Sequence, residues 1–166
     1  MQKRLNGLGG REMKFKILPS KNTEAYELLK IQREAFYSDL MKYKDYDTNP
    51  ATESLEYFLF RMENSLHYSI FVEDKLAGGI CIVIQTYTHY YLFSIFLSSR
   101  FQNKGLGSKI VQELERRFPH VRKWSLHTPK DDHRNRHFYE KLGFEKTGQE
   151  PINQYLTLIN YEKNMR

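Results

Sequence analysis

The residues best suited to hold an anionic ligand lie between Ile95 and Phe118. Ser98-Ser99-Arg100-Phe101-Gln102-Asn103-Lys104-Gly105-Leu106-Gly107 joins an apolar strand to an amphipathic helix. A helix N-terminus presents backbone N–H groups that lack intrahelical partners, with a partial positive charge behind them. Glycines ahead of it let a ligand approach the backbone closely. The arrangement suits a phosphate or pyrophosphate. Two common phosphate loops fail on spacing. A P-loop requires Gly-Lys-Ser/Thr after its four-residue gap, whereas Gly107 is followed by Ser108-Lys109. A dinucleotide fingerprint requires a third glycine where Ile110 stands. What remains is Gln102-x-x-Gly105-x-Gly107, which also fits an ordinary strand–turn–helix with a glycine-rich turn.

A second segment follows: Asn135-Arg136-His137-Phe138-Tyr139-Glu140-Lys141-Leu142-Gly143-Phe144. Spacing alone makes it a short helix that buries Phe138 and Leu142 at i, i+4 and ends at Gly143. Together and in this order, the two segments resemble the GNAT family of acyl-CoA N-acyltransferases. The first is similar to that family's Arg/Gln-x-x-Gly-x-Gly/Ala loop. The second is similar to its Phe-Tyr-Glu-Lys-Leu-Gly-Phe segment. The resemblance covers roughly residues 13–164, and its specific motifs are these two.

The resemblance implies transfer of an acyl group, usually acetyl, from coenzyme A to an amine. It assigns the pyrophosphate to Gln102, Asn103, Lys104, Gly105, Leu106, Gly107 and Ser108. Asn103 departs from the family's usual glycine, and an asparagine accepts left-handed backbone angles. The resemblance places the backbone at Phe96-Leu97 against the pantetheine arm and the thioester carbonyl, where an N–H stabilises developing negative charge. Tyr139 matches the family's general acid; packing against the cofactor is the alternative. Thiol and tyrosine pKa values of about 8.5 and 10 suit such a transfer. Asp132 stands where the family often has Asn, which weakens one cofactor hydrogen bond, and Asn135, at a position where the family commonly has Ala, is a candidate contact in its place.

An ammonium with a pKa near 10.4 must lose its proton before attack, at a cost of roughly 4 kcal/mol at pH 7. His89, His127 and Glu53 are candidate bases, and none sits in a specific motif. A structural histidine is the plainer reading of His127. His133 and His137 have basic neighbours, and no Cys/His spacing supports zinc, so no metal is expected.

The 166 residues suit one domain with a sizeable core, with residues 13–166 as the catalytic domain. Residues 1–12 read as a polar, glycine-containing tail ahead of the first strand. Cys81, the single cysteine, lies within the apolar run Ile80–Ile84 and reads as a core residue. One cysteine makes no internal disulfide, and no leader is visible, so a cytoplasmic location is expected. No stretch approaches the ~20 apolar residues of a membrane helix. Net charge is +6, and residues 98–141 carry all of it: eleven Lys/Arg against five Asp/Glu, with fifteen of each elsewhere. A polyanion such as coenzyme A is drawn to that region. A solvated basic face or an RNA footprint would show the same charge.

The elements that position these groups follow from periodicity. Helices are predicted at 23–40, 52–63, 105–118 and 133–142, the third burying Leu106, Ile110, Val111, Leu114 and Phe118. Strands are predicted at 14–18, 67–73, 76–86, 89–98, 123–128, 144–148 and 154–162, with a hairpin turn at Asp74-Lys75. Strand 76–86 is continuously apolar, which predicts burial on both faces. The fold class is α/β: one mixed, mostly antiparallel sheet of six to seven strands with helices on both faces. By resemblance the sheet splays between its fourth and fifth strands.

The function expected is an acetyl-CoA-dependent N-acetyltransferase acting on a primary amine of a small molecule or peptide. Segment 40–66 would shape the acceptor pocket; Asp39 beside it and Asp45, Asp47, Glu53 and Glu56 within it either attract a cationic amine or are solvated. The alternatives are the same fold acting on charged tRNA or protein N-termini, or a non-catalytic coenzyme A or RNA-binding module. Nucleic acid and membrane are not the expected partners. A homodimer through the last strands is compatible with the sequence.

Overall fold

The computed structural model describes residues 12–166. The tail expected at residues 1–12 therefore lies outside the described residues, apart from an exposed Glu12. Seven strands form one sheet in the hydrogen-bonded order β1-β2-β3-β4-β5-β7-β6. They are β1 (Phe15–Pro19), β2 (Leu66–Val72), β3 (Lys75–Thr86), β4 (His89–Leu97), β5 (Lys123–Pro129), β6 (Glu145–Pro151) and β7 (Thr157–Asn164). The helices are α1 (Ala25–Tyr43), α2 (Leu55–Asn64), α3 (Leu106–Arg117) and α4 (His133–Lys141). β1 with β2, β2 with β3, β5 with β7 and β6 with β7 pair antiparallel, whereas β4 and β5 run parallel with His89 opposite Lys123 and Tyr91 opposite Ser125. The described chain forms two compact units, Glu12–Val83 with Phe93–Phe101, and Ile84–Leu92 with Gln102–Arg166. The division falls inside β4, between Leu92 and Phe93.

The first unit is held by β1, β2, most of β3, the end of β4, and helices α1 and α2. Its core joins Leu28, Leu29 and Ile31 of α1 to Phe58 and Met62 of α2 and to Phe96 of β4. α1 runs to Tyr43, three residues past the predicted end, and stops at Lys44 in the left-handed conformation. α2 starts at a Ser54 N-cap whose hydroxyl accepts from the Tyr57 N–H at 3.2 Å. The turn between β2 and β3 is Glu73-Asp74, one residue earlier than predicted. Both have positive φ, 48° and 63°, as a two-residue hairpin turn of matching twist requires. Lys75 already belongs to β3. β3 is buried from Ala77 to Ile82, whereas Ile84 is 51% exposed, so burial on both faces ends before the strand does. Cys81 is fully buried, and burial pushes its thiol up from its ordinary value, as a core residue should be.

The second unit packs α3 and α4 with β5, β6 and β7. α3 buries Leu106, Ile110, Val111 and Leu114. Phe118 is not part of that buried stripe. It is half-buried at the helix C-cap, with its ring 5.3 Å from that of Tyr90. In α4, Phe138 and Tyr139 are buried, while Leu142 is half-buried at the C-cap. Gly143 follows with φ +97°, the left-handed terminator predicted there.

Candidate functional site

The loop ahead of α3 takes its shape from two left-handed residues, Asn103 at φ 59° and Gly105 at φ 77°. Gly105 is the N-cap of α3. Gly105 makes no side-chain cap hydrogen bond, and the dipole of the helix start favours an anionic group. Gln102 and Asn103 are half-buried, Lys104 is exposed, and Leu106 and Gly107 are buried beneath the loop.

Arg134, in the first turn of α4, donates from Nη2 to Asn103 Oδ1 and ties the loop to that helix. Sequence reasoning did not single out Arg134. Its only signal was its place in the basic run His133–His137. Beside this tie lies a cavity of about 420 Å³, lined by Ser108 and Gln112 of α3 and by Arg134, His137, Phe138 and Lys141 of α4. The cavity borders the α3 N-terminus and is lined by one arginine and one lysine. Its chemistry fits the phosphate-bearing portion of a nucleotide-like ligand.

Asp132 caps α4, its carboxylate accepting the Asn135 backbone N–H at 3.0 Å. An aspartate here thus has a structural reason of its own. Asn135 donates from Nδ2 to Thr128 Oγ1 at 3.0 Å, and its Oδ1 is buried with no partner among the described residues. A buried acceptor without a donor is costly, and a ligand donor or an ordered water would satisfy it.

Tyr139 is 4% exposed. Its ring meets Phe138 and Phe144 edge-on, at centroid separations of 4.9 and 5.6 Å. Among the described residues its hydroxyl has no hydrogen-bond partner. Burial, and secondarily the charge of Asp132, holds the phenol well above the usual tyrosine pKa, so the proton stays on Oη at any working pH.

The candidate bases differ. His127 is exposed, with Nδ1 2.5 Å from the Tyr91 hydroxyl. Partial burial lowers its pKa and favours the neutral ring, against an opposing pull from Glu150. His89 Nε2 is 2.7 Å from Ser125 Oγ, and burial and Lys123 lower its pKa as well. Glu53 is bound in the first unit to Arg61 at 2.8 Å, and the Arg61 guanidinium lies 3.9 Å over the Phe93 ring. A carboxylate fixed this way is a poor candidate for a free base. Asp45 accepts from the Thr48 N–H and hydroxyl within its own turn.

Phe96 and Leu97 belong to the first unit and are 1% and 4% exposed. The loop, Asn135 and Tyr139 belong to one unit and Phe96-Leu97 to the other. No group of three or more potential metal ligands occurs among the described residues. No helix among them is long and apolar enough to cross a membrane.

No curated protein matches the chain. Solved structures do, at low identity. The PaiA N-acetyltransferase of Thermoplasma acidophilum, in complex with coenzyme A, is 18% identical with a TM-score of 0.70, covering 92% of this chain and 100% of that one. The ribosomal-protein-S18-alanine N-acetyltransferase of Escherichia coli is 17% identical with a TM-score of 0.72, covering 91% and 94%. A GNAT family acetyltransferase of Elizabethkingia anophelis with acetyl-CoA bound is 16% identical with a TM-score of 0.65, covering 91% and 98%. These likenesses establish the fold. The sequence profile of the Acetyltransferase (GNAT) family matches residues 25–144, most of the chain and both motifs, and so this protein belongs to that family of acyl-transferring enzymes.

Proposed function

We propose that the protein is an acetyl-CoA-dependent N-acetyltransferase acting on a primary amine of a small molecule or peptide, with Tyr139 as the proton donor to the departing thiol. The supporting observation is the glycine-capped start of α3, whose loop is tied by Asn103 to Arg134 beside a basic cavity of about 420 Å³. Acetyl-CoA supplies an acetyl group activated as a thioester, and its transfer to an amine leaves a thiolate. The loop residues 102–108 hold the pyrophosphate through backbone N–H groups and the α3 terminus. Asn135, whose Oδ1 lacks a donor, adds a contact from α4. Phe96 and Leu97 enter this reading through the family resemblance alone.

Tyr139 keeps its proton because burial opposes its ionisation. An ordinary thiol, near pH 8.5, would be a weak match for so reluctant a donor. A thiolate formed in an apolar setting is disfavoured for the same reason, and this brings donor and acceptor back towards parity. The buried lone cysteine supports a reducing, cytoplasmic setting.

Calorimetric titration with acetyl-CoA tests the reading, on the wild type, Gly107→Glu and Lys104→Glu. Gly107 is buried and Lys104 exposed, so the second variant separates a lost site from a lost fold. Binding by the wild type that both variants weaken supports the loop as the cofactor site. A folded wild type that binds nothing overturns the reading.

A further inference from the structure

Tyr161 lies at the middle of β7 with its side chain fully buried, yet it ends in a hydroxyl that packing alone does not require. That hydroxyl donates to Glu140 Oε1 at 2.6 Å and accepts from Arg136 Nε at 3.0 Å. Arg136 and Glu140 are one helical turn apart on α4, with Nη2 and Oε1 4.0 Å from one another. Arg136 also donates from Nη1 to the Lys130 carbonyl at 3.1 Å, ahead of the helix. One phenol thus holds two successive turns of α4, and the same arginine holds the approach to it.

The other side-chain ties of α4, Arg134 to Asn103 and Asn135 to Thr128, both lie in its first turn, so its second turn depends on the phenol. The helix is nine residues long and buries Phe138 and Tyr139. Their rings meet edge-on, a contact without the directionality of a hydrogen bond. Charge-assisted hydrogen bonds are directional and about twice as strong as neutral ones. Two of them from a single rigid ring set both the height and the rotation of the helix.

We propose that Tyr161 is a positioning residue for the acyl-transfer site, acting through Arg136 and Glu140 on the helix that carries Arg134, Asn135 and Tyr139. This rests on the reading of α4 as part of the cofactor site. A misplacement of about 1 Å in a group that orients a substrate costs up to ~100-fold. Loss of the phenol therefore shows first in how well α4 presents its ligand-facing groups.

The test is acetyl-CoA affinity by calorimetry, with amide hydrogen exchange, on full-length wild type, Tyr161→Phe, Glu140→Gln, Glu140→Ala and the Tyr161→Phe/Glu140→Ala double variant. Tyr161→Phe is expected to weaken acetyl-CoA about tenfold and to speed exchange across residues 133–141, with α3 unchanged. Glu140→Gln keeps an acceptor for the phenol and is expected to bind within about twofold of wild type. Glu140→Ala is expected to behave like Tyr161→Phe, and the double variant to be no weaker than either single change, because both break one clamp. Wild-type affinity in Tyr161→Phe overturns the proposal even where its thermal midpoint falls, as do additive losses in the double variant. A wild type that binds no acetyl-CoA overturns the proposed function and this inference with it.

Discussion

The carbonyl oxygen of Phe96 occupies the space in which a side chain at Gly78 would begin. A Cβ built on Gly78 would stand 1.9 Å from that oxygen and 3.0 Å from Leu97 Cα. The neighbouring Ala77 carbonyl accepts the Ser98 N–H at 2.7 Å. At this point, therefore, β3 is shaped around the backbone of Phe96-Leu97, the segment the family resemblance assigns to the thioester carbonyl. The contact is with backbone, which has no rotamer to yield.

Gly78→Ala is expected to destabilise the protein by about 2 kcal/mol or more, since overpacking against rigid atoms costs 1–3 kcal/mol. Gly79 is the control. A Cβ there meets the Phe96 ring at 2.7 Å, and a ring tip can move. Urea unfolding of the two variants should rank Gly78→Ala well below Gly79→Ala. Equal losses would show that the Phe96 backbone gives way as readily as its ring.

Tyr139→Phe removes a hydroxyl that has no hydrogen-bond partner among the described residues and leaves the ring between Phe138 and Phe144. Stability and acetyl-CoA affinity are expected to stay near wild type. The rate of thiol release should fall by about 10²–10⁴, the usual worth of a positioned acid. Unchanged turnover would remove Tyr139 from the chemistry and leave it as a packing residue. Because burial raises its pKa, the wild-type rate should show no loss from Tyr139 ionisation at pH 7–10.

The two motifs were legible because they are local. A strand, a left-handed Asn103, a glycine N-cap and a short helix closed by Gly143 all follow from neighbouring residues. The tie from Arg134 to Asn103 spans 31 residues, and the hold of Tyr161 on Arg136 spans 25. Neither leaves a trace in spacing. Gly78 read only as part of an apolar run, because its role depends on which carbonyl faces it. The capping role of Asp132 was legible in principle, three residues ahead of the Asn135 N–H it accepts, but family position suggested a cofactor contact instead. The reach of β3 past its buried stretch to an exposed Ile84 was hidden for another reason: periodicity reports apolar residues, not where the covering layer ends.

His67 gives the first unit a pH dependence of known sign. It is 7% exposed, with Nδ1 2.8 Å from Ser20 Oγ and its ring 5.2 Å from that of Phe58. Ser69 extends the network to Ser20 at 2.9 Å and to Glu24 at 3.0 Å. Burial, helped by the Arg61 charge, lowers its pKa to about 4. The unfolded value is about 6.5, so the unfolded chain binds the proton first. The contribution is present above pH 6.5 and is lost as pH falls towards 4. A gap of this size is worth about 3 kcal/mol at most. His67→Asn keeps a polar group near the Nδ1 position and cannot titrate. Urea unfolding at pH 7 and pH 4.5 should show wild type losing more stability than His67→Asn, by about 2–3 kcal/mol. Carboxylates common to both proteins cancel in that difference. Parallel losses would mean that His67 takes up its proton in the folded state at its ordinary pKa, with water admitted to the Ser20–Ser69 network.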